Sequence, residues 1–143
     1  MNKLTIFLLN HLGMTNTNNS APILQSWIII NVPTATINNW RSIQWCAVVL
    51  IEALKSTNYE GILPNAWVDS WLNIGDKIDK NKMRMGDVII FGDNVKRTHV
   101  STFIRYSTNG LQVAALGGNQ GGALQITWFD MRDVYAVRRI DNL

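Results

Sequence analysis

The hydrophobic period of this chain changes once, near Gly86, and that change limits the folds open to it. Upstream, the stretch Trp45-Cys46-Ala47-Val48-Val49-Leu50-Ile51-Glu52-Ala53-Leu54-Lys55 is apolar almost all round. It is too long for a typical strand, and its Ala, Leu, Glu and Lys residues favour a helix. A helix of that kind is buried on every side. Ser42 is its candidate N-cap. Pro22 suits the first turn of a short helix over residues 23–30. Asn65 is placed to cap another that carries Ala66, Trp67, Trp71 and Leu72, with Gly75 as its C-cap. Downstream the pattern is that of strands. Asp87-Val88-Ile89-Ile90-Phe91 lies between Gly86 and Gly92, and residues 100–106, 111–116, 124–129 and 134–140 follow as a meander. Helices first and strands after predict an α+β domain, N-terminal helices packed on a C-terminal antiparallel sheet.

The 143 residues suffice for one domain with a substantial core, spanning 1–143, with residues 1–21 as a loosely structured start. With 47% apolar and 16% charged residues, the chain reads as globular rather than disordered. The apolar run from Leu4 to Leu9 is short, is interrupted by Asn10-His11 and lacks a nearby small-x-small site, so no signal peptide is expected. No run is long enough to span a membrane. The net charge of +3 suits an anionic polymer. Lys77, Lys80, Lys82 and Arg84 alternate with Asp76 and Asp79, which reads as a solvated loop, and no nucleic-acid motif accompanies them. The two histidines, His11 and His99, show no metal-site spacing, and neither a metal nor another cofactor is expected.

Cys46 is the only cysteine, which excludes an intrachain disulfide and thiolate zinc clusters. A buried lone cysteine is inert in most settings. This one opens a helix, where free amides and the helix dipole favour a thiolate, and its own amide is a natural oxyanion donor. His99 follows at the entry of a strand, and Leu116-Gly117-Gly118-Asn119-Gln120 comes after it. Thiol, imidazole and carboxamide in that order fit a thiol hydrolase, in which Cys46 attacks, His99 moves the proton and a third group fixes the ring. Two carboxamides compete for the third role. A two-residue Asn109-Gly110 turn sets Gln120 opposite His99, whereas a three-residue Thr108-Asn109-Gly110 loop sets Asn119 there. Of the six tryptophans, Trp67 and Trp71 are spaced to share a helix face, and most are expected in the core. Trp40 and Trp45, beside Cys46, are the ones expected to line a substrate groove together with Gln44.

The ordered set Trp45-Cys46-Ala47, Trp71-Leu72 to Gly75, Gly86-Asp87-Val88-Ile89-Ile90-Phe91, His99-Val100 and Leu116-Gly117-Gly118-Asn119-Gln120 resembles the CHAP and NlpC-type cysteine peptidases, above all their small phage and prophage branch. The resemblance covers about residues 20–140. It implies a papain-like fold and cleavage of an amide bond in bacterial peptidoglycan, as an amidase or an endopeptidase. It implies Cys46 as nucleophile and His99 as base, with Asn119 as the group that orients His99; the mechanism expected on that basis has His99 hold Cys46 as an ion-paired thiolate. It also implies action on the cell wall after synthesis in the cytoplasm or carriage by a phage particle, without membrane insertion. The chain departs from the family pattern at Thr98 and Ser101, where glycine often stands, and at Gln44, where proline or glycine often precedes the Trp-Cys pair. The rival reading is a non-catalytic wall-binding or virion structural module on the same scaffold.

Overall fold

A computed structural model describes residues 1–143. Three α-helices come first: α1 (Lys3–Asn10), α2 (Ala21–Asn31) and α3 (Cys46–Lys55). Six strands follow: β1 (Asp76–Ile78), β2 (Val88–Gly92), β3 (Arg97–Tyr106), β4 (Gln112–Gln120), β5 (Ala123–Asp130) and β6 (Val134–Arg139). All neighbouring strands pair antiparallel in one sheet, in the order β1-β6-β2-β3-β4-β5. The α+β architecture expected from the change of period is the one observed. Strands β2 to β5 form the meander. β6 departs from it, returning to the far side of β2, where it pairs with β2 and β1.

The sheet has two buried faces. Val88 and Ile90 on β2 and Val100 on β3 face the helices, where they join a cluster built on α3. Ile89, Phe91 and Phe103 face the other way and join Met83, Val113, Ala115, Val134 and Val137. Alternation along each strand sends successive side chains to opposite faces, so a sheet buried on both sides reads as a nearly continuous apolar run. Eight of the ten residues of α3 are buried, as its all-round apolar pattern requires. Glu52 and Lys55 are the polar exceptions, and Glu52 accepts from Asn31 of α2 and from Lys55.

Several local expectations change. Residues 1–21 are not loose: α1 is capped by Asn2, whose Oδ1 accepts from the Thr5 amide, and Leu4 and Leu8 are fully buried. Beyond α1, Gly13 and Met14 exchange backbone hydrogen bonds with Leu124 of β5. Ser42 closes a short 3-10 turn (Trp40–Ser42), and the N-cap of α3 is Trp45, with no side-chain cap bond. Asn65 caps no α-helix; its Oδ1 accepts from the Trp67 amide ahead of a 3-10 segment (Val68–Asn73). Trp67 and Trp71 do not share an environment, since Trp67 is exposed and Trp71 is fully buried.

A buried ion pair fixes the start of β2. Arg139 of β6 makes two 2.8 Å bonds to the Asp87 carboxylate, which also accepts from the Arg84 amide. A buried carboxylate is tolerated when it is paired and hydrogen-bonded in this way.

Candidate active site

Cys46 is the first residue of α3, and α3 is pressed against β4 at that end. A Cβ added to Gly118 would lie 2.8 Å from the Trp45 ring and 3.0 Å from Val49, so only glycine lets the strand come this close. The Cys46 side chain is 3% exposed. Burial raises its pKa above the ordinary 9.0, because desolvation disfavours the thiolate. The amides of Val100, Ala47 and Cys46 itself donate toward the sulfur and pull the other way.

Val100 follows His99 directly on β3, so the sulfur meets β3 one residue from the imidazole. The His99 ring points to the sheet face away from α3. It lies 5.8 Å from the Phe91 ring, its cross-strand partner, and 5.6 Å from the Phe129 ring. This apolar setting holds the His99 pKa below 6.5, and the hydrogen bond to Gln120 opposes the shift.

His99 Nε2 is 3.1 Å from Gln120 Oε1, and the route by which β4 delivers Gln120 is irregular. Near the turn Tyr106 pairs with Val113, closed by a Ser107–Gln112 backbone bond, so the loop is longer than either sequence alternative. A bulge between Phe103 and Arg105 then shifts the register by one, so that Thr102 faces Leu116. Continued regularly, that register would bring Asn119 to His99. A second irregularity between Gly117 and Gln120, with Asn119 at a φ of 57°, turns the strand again and brings Gln120 there instead. The role expected for Asn119 therefore falls to Gln120. Asn119 Nδ2 donates to Gln44 Oε1 at 2.6 Å, beside the entry to α3.

Gln120 is 3% exposed, and its carboxamide has one workable orientation. Its Nε2 donates to the carbonyls of Ala115 (2.9 Å) and Gln125 (2.7 Å), so Oε1 faces His99 and Ser101. An oxygen only accepts, so His99 donates through Nε2–H. The neutral ring then carries its lone pair on Nδ1. Nδ1 has no protein partner, and every buried side-chain nitrogen and oxygen is partnered, so Nδ1 is reached by solvent.

The structure thus joins His99 to Gln120 and Ser101, and Gln44 to Asn119. Cys46 and His99 share no hydrogen bond, and neither perturbs the other's charge. With the thiol raised and the imidazole lowered, the resting pair is neutral, not the ion pair expected from sequence. Trp40 and Trp45 line no groove: both are 2% exposed and belong to the helix-side core. Gln44 is exposed, but with Trp40 and Trp45 buried it shares no groove with them. Ser101 and Gln125 were not foreseen as part of the site. Their only sequence signal is a polar residue within a strand pattern, which is common on solvated faces.

No family profile matches the chain, and no curated protein matches it in sequence. No helix is long and apolar enough to cross a membrane.

Proposed function

We propose that this protein is a papain-like cysteine hydrolase that cleaves an amide bond of the bacterial peptidoglycan stem. The observation that carries the reading is the locked Gln120 carboxamide, which fixes the His99 proton on Nε2 and leaves Nδ1 as a free base, while the Cys46 sulfur meets the next residue of the same strand, Val100, from the opposite face of the sheet. The choice of wall peptide as substrate, with action at the cell wall or from a phage particle, rests on the ordered motif set from Trp45 to Gln120 and its likeness to the CHAP and NlpC-type peptidases.

The proton moves during attack rather than before it. The reading requires the Cys46 Sγ–H proton to reach His99 Nδ1, from which β3 separates it in the resting structure, as the sulfur bonds to the substrate carbonyl carbon. The Cys46 amide stabilises the oxyanion, with the Gln44 amide nitrogen as a second donor, since the Gln44 oxygen is occupied by Asn119. Gln120 Oε1 holds the imidazolium, which then protonates the leaving nitrogen. Water hydrolyses the resulting thioester, and His99 again takes the proton.

The test is clearing of purified peptidoglycan, with mass analysis of the released fragments to separate an amidase from an endopeptidase. Wild-type protein clears the suspension and the Cys46→Ala variant does not; clearing by Cys46→Ala at the wild-type rate would end the proposal. The near-complete burial of Cys46 favours a second reading, a non-catalytic wall-binding or virion module. A thiol-reactive probe at neutral pH separates the two. Labelling of Cys46 supports the hydrolase, whereas wall binding with an unreactive thiol supports the module.

A further inference from the structure

Ser101 lies on the same sheet face as His99, two residues further along β3, and is fully buried. Its hydroxyl has one partner, Gln120 Oε1, at 2.6 Å. The same oxygen receives His99 Nε2–H at 3.1 Å. Gly117 of β4 leaves the space in which this happens, because a Cβ there would collide with both Ser101 Oγ and Gln120 Oε1. One buried oxygen is therefore shared by two donors, and the hydroxyl holds the closer place.

We propose that Ser101 is a positioning residue for His99 that acts through Gln120, its hydroxyl sharing the carboxamide oxygen and so setting how tightly that oxygen holds the imidazole. The shared oxygen itself is a feature of the folded chain; its catalytic consequence rests on the hydrolase reading above. Two donors on one acceptor weaken each other's bonds. With Ser101 present, the oxygen keeps the Nε2–H aligned but stabilises the imidazolium less than an unshared acceptor would. Removing the hydroxyl leaves the oxygen to His99 alone, tightens that bond and favours the protonated ring.

No other charge competes for this role. The elements packed on the ring present Phe91 from β2, Phe129 from β5 and Gln120 from β4. Arg97, on His99's own strand, is engaged by Asp69 through two bonds of 2.8 and 2.9 Å. No titratable group perturbs the His99 charge; burial and the Gln120 hydrogen bond are what act on it.

The experiment is side-chain nitrogen NMR of the two histidines against pH in the full-length wild type and in Ser101→Ala. His11, the C-cap of α1, tilted against the Phe7 ring, is the internal reference. Wild-type His99 shows the Nε2–H tautomer, and Ser101→Ala moves its titration midpoint to higher pH while His11 stays in place. If Ser101→Ala does not fold, Ser101→Cys keeps the volume with a much weaker donor and gives the same upward shift. An Nδ1–H tautomer in the wild type, or a midpoint unmoved or lowered in the variant, overturns the proposal. Under the hydrolase reading the acid limb of the wall-clearing profile moves up with it. Absence of wall clearing by the wild type would sink that reading and leave the NMR result to decide the role of Ser101.

Discussion

Replacing Gln120 with alanine separates the two carboxamides that the sequence leaves in competition. The substitution strands the Ser101 hydroxyl and withdraws donors from the Ala115 and Gln125 carbonyls. An abandoned buried polar group costs about 1–3 kcal/mol, and a carbonyl that keeps another partner lies at the low end. The sum is about 3 kcal/mol, or roughly 10 °C in Tm for a chain of this length. Asn119→Gly is the control. It removes only the exposed bond to Gln44, and glycine accepts the positive φ, so its effect on stability stays within about 0.5 kcal/mol. Thermal unfolding followed by circular dichroism reads the stability, and clearing of purified peptidoglycan reads the activity. Gln120→Ala is expected to fall in both, and Asn119→Gly to keep both. A Gln120→Ala variant as stable as the wild type, or an Asn119→Gly variant equally damaged, would refute the hydrogen-bond argument.

Stability should fall on both sides of a window set by the two buried groups. The folded-state pKa of His99 is depressed, so its stabilising contribution is complete above its ordinary 6.5 and is lost as pH falls below that value. The folded-state pKa of Cys46 is raised, so its contribution is complete below 9.0 and is lost as pH rises beyond it. Melting curves from pH 5 to 10 check both limbs: Cys46→Ala flattens the alkaline one, and an unchanged alkaline slope would contradict the burial argument. Gly118→Ala forces a methyl against Trp45 and Val49, an overpacking that costs about 1–3 kcal/mol and moves β4 away from α3. It is expected to lower Tm and activity together, whereas a gain in Tm would show that the contact is not limiting.

Much of the fold was open to reading because burial leaves a periodic trace. α3 was visible from its all-round apolar pattern, and the four strands of the meander from short apolar runs bounded by turn residues. The position of β6 was not, because a strand's own sequence does not record which edge it joins; the Arg139–Asp87 pair that ties β6 to β2 spans 52 residues. α1 was missed for a related reason. Its apolar run from Leu4 to Leu9 is short, and it reads as a helix face only once α3 is present to cover it. Trp40 and Trp45 were assigned to a groove because they flank Cys46 in sequence, yet the closeness of Gly118 draws the Trp45 ring into the core.

The identity of the third site residue was beyond reach of any local rule, because two one-residue slips decide it. The turn sets one register, the bulge at Ile104 shifts it, and the irregularity at Gly118-Asn119 shifts it back. Each slip exchanges the faces on which side chains emerge, so an error over either one would give the wrong carboxamide. The second slip has a tertiary cause. Gly118 must pass close under Trp45, and Asn119, a residue type that tolerates a left-handed backbone, takes up the turn. The same close approach buries the N-terminus of α3 and with it Cys46. It follows that the packing which selects Gln120 also keeps the thiol protonated at rest, so any change that loosens Gly118 from Trp45 should make Cys46 more reactive to a thiol probe while weakening the hold on His99.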